Sequence, residues 1–248
     1  RMTTENHLPT SSELQELLPY LTKQERAELD KLLPQFKAPY PLVQKRQANL
    51  LEACGFPCSF AGEHEFAGQR VPMWRATGER RPAVADVIGY GGAAFGGKSY
   101  GMLLLARVAA ELWPGAQIAY FRRTYPELDG PGAAMQKAYE VFDGVATDSD
   151  GGKQWDWENG SSFYFRHCQT EQDVYSYQSQ QIDILLMDEA THFTWFIIDY
   201  LLTRNRSNVD HPGFKPFAVL PSNPGNVGHT WYSQVFDVDK KQGEHEQV

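Results

Sequence analysis

Apolar and polar positions fall into three regimes along the chain. Over residues 1–36, Leu14, Leu17 and Leu18, then Leu29, Leu32 and Leu33, recur at helical spacing. Ser12 with Gln15, and Thr22 with Glu25, have the spacing of a capping box, in which side chains satisfy the free N–H groups of a first helical turn. Two appended helices are predicted, each with one apolar stripe. From Pro39 to Pro82, prolines, glycines and aromatics break any period; a helix is expected near Gln44–Ala53 and an irregular insertion from Gly55 to Pro82.

From Ala83 onward, short apolar runs alternate with helical spacing. Val84–Tyr90, Ile118–Phe121, Ile184–Met187 and Phe217–Leu220 read as strands, while Ser99–Leu112, Ala133–Phe142 and Phe196–Leu202 read as helices. Such alternation predicts an α/β fold of three layers, a mainly parallel sheet covered by helices. Trp155–Glu158 and Ser161–Phe165 flank Asn159-Gly160, a pair that tolerates left-handed backbone, and a side hairpin is expected there.

Composition narrows this picture. A length of 248 residues suits one elaborated core with additions, and an apolar share of 42% with six tryptophans is enough to bury one. No apolar run approaches the roughly 20 residues of a bilayer span, and the start lacks a basic stretch leading into an apolar one, so cytoplasmic residence without a membrane partner is expected. Three cysteines, an odd count, point to reduced thiols. A net charge of −8 argues against generalised adhesion to nucleic acid, so any DNA contact requires a local basic patch.

Chemistry enters at Gly92-Ala93-Ala94-Phe95-Gly96-Gly97-Lys98-Ser99, followed by Tyr100, between a strand and a helix. This is the P-loop pattern: glycines let backbone N–H groups and a helix N-terminus wrap a phosphate, Lys98 reaches the β- and γ-phosphates, and the Ser99 hydroxyl ligates Mg²⁺. Independently, the apolar run Ile184–Met187 ends in Asp188-Glu189, a Walker B pattern. Asp188 is the expected Mg²⁺ ligand and Glu189 the base that polarises the attacking water. A third segment, Pro221-Ser222-Asn223-Pro224-Gly225, follows the next buried strand and offers polar side chains, Ser222 and Asn223, to a γ-phosphate.

With these in place the chain resembles the ATPase domain of the large terminases of tailed phages and prophages. The resemblance runs from about Tyr40 to Tyr232. It rests on the Gly91–Ser99 loop, Phe121-Arg122-Arg123-Thr124-Tyr125-Pro126-Glu127-Leu128, Leu186-Met187-Asp188-Glu189-Ala190, Thr203-Arg204-Asn205-Arg206, and Ser222-Asn223-Pro224-Gly225 followed by Trp231. It implies an additional-strand P-loop ATPase that packages double-stranded DNA into a procapsid, with the Ser-Asn-Pro element coupling hydrolysis to movement. Partners implied are DNA, a portal, a small terminase subunit and further copies in a ring, at the procapsid in the host cytoplasm. It also implies a glutamine that reads adenine, matched by Gln47 with Gln44 as rival, and a nuclease domain beyond the ATPase. The division expected is a helical appendage over 1–36, a P-loop ATPase domain over 37–236, and a charged tail or linker toward an absent nuclease domain over 237–248.

Relatives often carry an arginine in the phosphate loop where Ala94 stands, which leaves the charge-stabilising cation to another position. Arg122, Arg123, Arg166, Arg204 and Arg206 are candidates; Arg204 or Arg206 acting across a subunit boundary is the expectation. Rival readings are a helicase-like ATPase and an assembly protein holding ATP structurally. A zinc site at Cys54, Cys58 and His64 is set aside because no second compact ligand pair follows, and Asp148, Asp150, Asp156 and Glu158 read as a solvated hairpin face.

Overall fold

All residues of Ile184–Met187 and Phe217–Ser222 are buried, as strands covered on both faces require. The structure, a computed structural model, describes residues 40–66, 68–91, 97–207, 213–223 and 225–236. The chain divides into two units, 1–40 and 41–248; the helical pair expected over 1–36 and the tail over 237–248 lie outside the described residues.

The elements in order are α1 (Lys45–Ala53), β1 (Cys58–Phe66), β2 (Gln69–Ala76), β3 (Val87–Gly91), α2 (Lys98–Leu112), β4 (Gln117–Arg122), α3 (Pro126–Asp129), α4 (Ala134–Phe142), β5 (Thr147–Asp148), β6 (Gln154–Asp156), β7 (Ser162–His167), β8 (Ile184–Met187), α5 (Trp195–Leu202), β9 (Phe217–Ser222) and α6 (His229–Phe236). Short 3₁₀ turns occupy Asp173–Tyr177 and Ala190–His192. Seven strands form one sheet in the order β3-β9-β8-β4-β7-β6-β5. The run from β3 to β7 is parallel, and β6 and β5 extend it antiparallel. Strand β9 lies between β3 and β8, so one added strand separates the strand before the Gly92–Ser99 segment from the strand that leads into Asp188-Glu189.

Register assigns the two faces. Ile118 stands beside Phe163 and Ile184, and Tyr120 beside Phe165 and Leu186. Helix α2, whose Met102–Ala106 are all buried, packs against β4 and β7 and against α4, and Phe142 of α4 meets Phe163 with ring centroids 5.1 Å apart. On the opposite face Phe121, Leu185, Met187, Ala218 and Leu220 share one core with Val174, Ile197, Ile198, Leu201, Trp231 and Tyr232 from the 3₁₀ turn, α5 and α6. Three layers result, and the expected α/β class holds.

Three expectations change. Residues 55–82 are not irregular: β1 and β2 form an antiparallel ribbon, Phe66 opposite Gln69 and Cys58 opposite Ala76, with a bulge between Phe60 and Gly62. The Asn159-Gly160 signal sits in a longer connection, where the Trp157 N–H donates to the Ser161 carbonyl at 2.9 Å. The hairpin is present, β6 pairing antiparallel with β7 across this turn, but both strands belong to the main sheet rather than to a side element. Val84 is exposed, and the first sheet strand begins at Val87.

Candidate active site

Parallel strands end on one edge of the sheet, and there the topology brings together the termini of β3, β9, β8 and β4. The loop residues Gly92, Ala93, Ala94, Phe95 and Gly96 lie outside the described residues. Gly97 closes the loop at φ 70° and ψ 19°, a left-handed conformation that suits glycine, and caps α2. Its lack of a side chain matters twice, because a Cβ there would lie 2.9 Å from Gln47 Nε2. Gln47 also lies against Gly101, is 8% exposed, and its Oε1 accepts the Gln44 N–H at 2.7 Å; Gln44 is exposed. Of the two glutamines, Gln47 is the one beside the loop.

Asp188 stands at the end of β8, fully buried, with three donors on a single oxygen. Its Oδ2 accepts the Ser99 hydroxyl at 2.8 Å, the Tyr120 hydroxyl at 2.6 Å and Arg122 Nε at 2.9 Å. Burial, with the Asp188 carboxylate next, pushes the Tyr120 phenol far above its usual range and keeps it a donor. Burial alone lowers the Arg122 value, but Asp188, Tyr120, Glu189 and Glu127 around it outweigh burial and raise it. Among the described residues, Oδ1 of Asp188 accepts the adjacent Glu189 N–H alone, at 3.1 Å. Hydroxyl and carboxylate oxygens without nitrogen or sulfur are the donor set of a hard cation, so Ser99 and Asp188 fit Mg²⁺.

Glu189 adopts φ 51° and ψ 56°, one of two non-glycine residues with positive φ among those described. Strain at such a position is held by its surroundings. Asn223 Nδ2 approaches Glu189 Oε1 at 3.5 Å, and Asn223 Oδ1 accepts the Lys98 ammonium at 2.8 Å. Lys98, Glu189 and Asn223 thus meet although they come from α2, the end of β8 and the end of β9. Ser222 and Thr191, both buried, share a hydrogen bond of 2.7 Å that ties the β9 terminus to the 3₁₀ turn after β8. Tyr100, half-buried in the first turn of α2, has a phenol raised by burial and by Glu140.

The candidate arginines separate. Arg122 is in the site. Arg123 is exposed and reaches the His192 carbonyl at 3.4 Å, and Arg166 stacks on Tyr164 at 4.7 Å. Arg204 and Arg206 pair their backbones with Ile182, before β8 begins, and Arg204 donates to the Gln178 carbonyl at 2.6 Å. Six extended residue steps lead from Ile182 to Asp188, about 20 Å, so these two lie at the far end of the strand. Sequence reasoning missed Tyr120 and Thr191: a tyrosine within an apolar strand and a threonine after an acidic pair carry no pattern of their own.

No protein-family model matches the chain, and no curated protein does. Among solved structures it is similar to a large terminase from a thermophilic bacteriophage, at a TM-score of 0.48 and 14% identity over 64% of this chain and 39% of that one. It is also similar to the N-terminal domain of the DNA packaging ATPase from bacteriophage phi29, at 0.44 and 18% over 62% and 82% of the two chains. A third is the Thermus phage P74-26 large terminase ATPase domain, at 0.40 and 17% over 62% and 65%. The match thus spans well under half the length of the first of these and just under two thirds of the third. At TM-scores below 0.5 the likeness is distant, and the functional reading rests on the chain's own residues. What the chain is similar to, at that distance, is a set of phage large terminases and packaging ATPases.

Proposed function

We propose that this chain hydrolyses ATP with Mg²⁺ and serves as the ATPase domain, residues 37–236, of a phage-type large terminase that drives double-stranded DNA into a procapsid. The observation that carries the reading is the 2.8 Å bond between Ser99 Oγ and Asp188 Oδ2, which joins the start of the P-loop helix to the end of the Walker B strand. Around it, Lys98 and the loop from Gly92 to Tyr100 take the phosphates and Gln47 takes the adenine. Ser99 and Asp188 hold the cation, which when bound neutralises charge on the β- and γ-phosphate oxygens.

Glu189 accepts a proton from water as the water oxygen bonds to the γ-phosphorus. The bond to the bridging oxygen breaks, and its electron pair leaves with ADP. Asn223 holds the Glu189 carboxylate and, with Ser222, links the site to β9. Arg204 and Arg206 can reach a γ-phosphate only from a neighbouring chain in a ring. Portal, small terminase subunit and procapsid in the host cytoplasm complete the assembly.

The test is phosphate release with and without Mg²⁺ and double-stranded DNA across a salt series. Release that needs Mg²⁺ and rises with DNA, an effect weakened steeply by salt, is expected. Absence of release under all conditions, from protein that is folded, overturns the reading; release indifferent to DNA removes the packaging half of it.

A further inference from the structure

Arg122 closes β4 beside the catalytic carboxylates. Its side chain is 20% exposed and that of Asp188 is not exposed at all. Arg122 spends one donor, Nε, on Asp188 Oδ2, and its terminal amino groups make no hydrogen bond among the described residues. Three carboxylates surround it, those of Asp188, Glu189 and Glu127. The Ser99 hydroxyl shares the same Asp188 oxygen, so two hydrogen bonds through Asp188 connect Arg122 to the first turn of α2.

We propose that Arg122 is a catalytic residue, the cation that contacts the γ-phosphate from within the same chain. This rests on the ATPase reading above and deepens it. Ala94 brings no charge to the loop, and Arg204 and Arg206 sit at the far end of β8. Arg122 presents two terminal amino groups that form one unused fork, the planar geometry that meets two oxygens of one phosphate at once.

Release from Asp188 is feasible because the Tyr120 hydroxyl, at 2.6 Å on the same oxygen, stays behind and spares the buried carboxylate an unpaired state. In the hydrolytic step Arg122 moves no proton. The water oxygen bonds to phosphorus, the bridging bond breaks toward ADP, the water proton goes to Glu189, and Arg122 neutralises the charge spread over the phosphoryl oxygens.

The experiment uses the full chain and the variants Arg122→Ala, Arg122→Gln and Arg122→Lys, with calorimetric affinities for Mg·ADP and for a non-hydrolysable Mg·ATP analogue, and with turnover. Expected are ADP affinity within about twofold of the parent, analogue affinity weaker by about tenfold, and turnover lower by about 10³-fold. Arg122→Lys, which retains the Asp188 contact but lacks the fork, follows the same direction and is decisive by itself if the other two fail to fold. Mixing Arg122→Ala with Glu189→Gln restores nothing when the cation acts in its own chain.

Equal loss of ADP and analogue affinity assigns Arg122 to holding Asp188 and overturns the proposal, as do unchanged turnover or rescue on mixing. A parent chain that binds no nucleotide, or a Glu189→Gln variant with normal turnover, instead sinks the ATPase reading, and this inference falls with it.

Discussion

Lys98 and Asn223, 125 positions apart in the chain, meet in a 2.8 Å hydrogen bond from the ammonium to Oδ1. The amide is two-sided, and its Nδ2 turns toward Glu189 Oε1 at 3.5 Å. In the proposed ATPase, a phosphate that draws Lys98 toward itself would free one end of Asn223 while the other stays on Glu189. The bond is also a link between the first residue of α2 and β9, the strand whose end carries the Ser222-Asn223 element.

Asn223→Ala is expected to leave Mg·ADP affinity within about threefold while turnover falls about a hundredfold, the cost of a misplaced catalytic group. Calorimetry beside steady-state phosphate release checks the separation. If both fall together, Asn223 is a binding residue and does not position Glu189.

Glu189 holds its side chain from a left-handed backbone, φ 51° and ψ 56°. That conformation costs a non-glycine residue about 1 kcal/mol. Glu189→Gly is expected to raise the thermal midpoint of unfolding while abolishing turnover, a trade of function for stability. A lowered midpoint shows that contacts of the glutamate outweigh its backbone strain.

Much of this arrangement was legible in the residues. Uninterrupted apolar runs in Ile184–Met187 and Phe217–Leu220 signal strands covered on both faces, and both are buried throughout. Glycines before Lys98-Ser99 and acids after Met187 signal the two halves of one site, and the Ser99–Asp188 bond joins them. The β1–β2 ribbon stayed hidden for a physical reason. Glu63, His64 and Glu65 are consecutive and all exposed, so the strand has no buried face over that stretch to impose a period of two. Its burial is confined to the Cys58–Ala76 end, where Ala76 is 6% exposed. Tyr120 stayed hidden because it reads as one more apolar strand residue until β4 and β8 are placed side by side. Only then does its hydroxyl find Asp188.

Acid should unfold the chain partly through two aspartates near the sheet's antiparallel edge. Burial pushes the Asp156 carboxyl up, but hydrogen bonds from Ser149, Ser162 and Gln154 outweigh it and leave it below the ordinary carboxylate range. The Tyr139 hydroxyl and the Gly152 N–H lower Asp148. A carboxyl depressed in the folded state contributes stability that is complete above its unfolded value, about 3.9, and is lost as pH falls through the folded one. Urea midpoints are therefore expected to hold steady from about pH 7 to 5 and drop below about pH 4. Asp156→Asn should be less stable at neutral pH and show a shallower drop. An equally steep drop in that variant removes Asp156 from the explanation.

Glu189 as the base of an ATP-hydrolysing site assembled on Lys98, Ser99 and Asp188 is tested most directly by Glu189→Gln. The substitution keeps size and one acceptor and removes the capacity to take a proton. In a single-turnover experiment with Mg·ATP, the variant is expected to bind nucleotide as the parent does while the chemical step slows by at least about a hundredfold. Hydrolysis at the parent's rate by a variant that binds normally contradicts that role for Glu189.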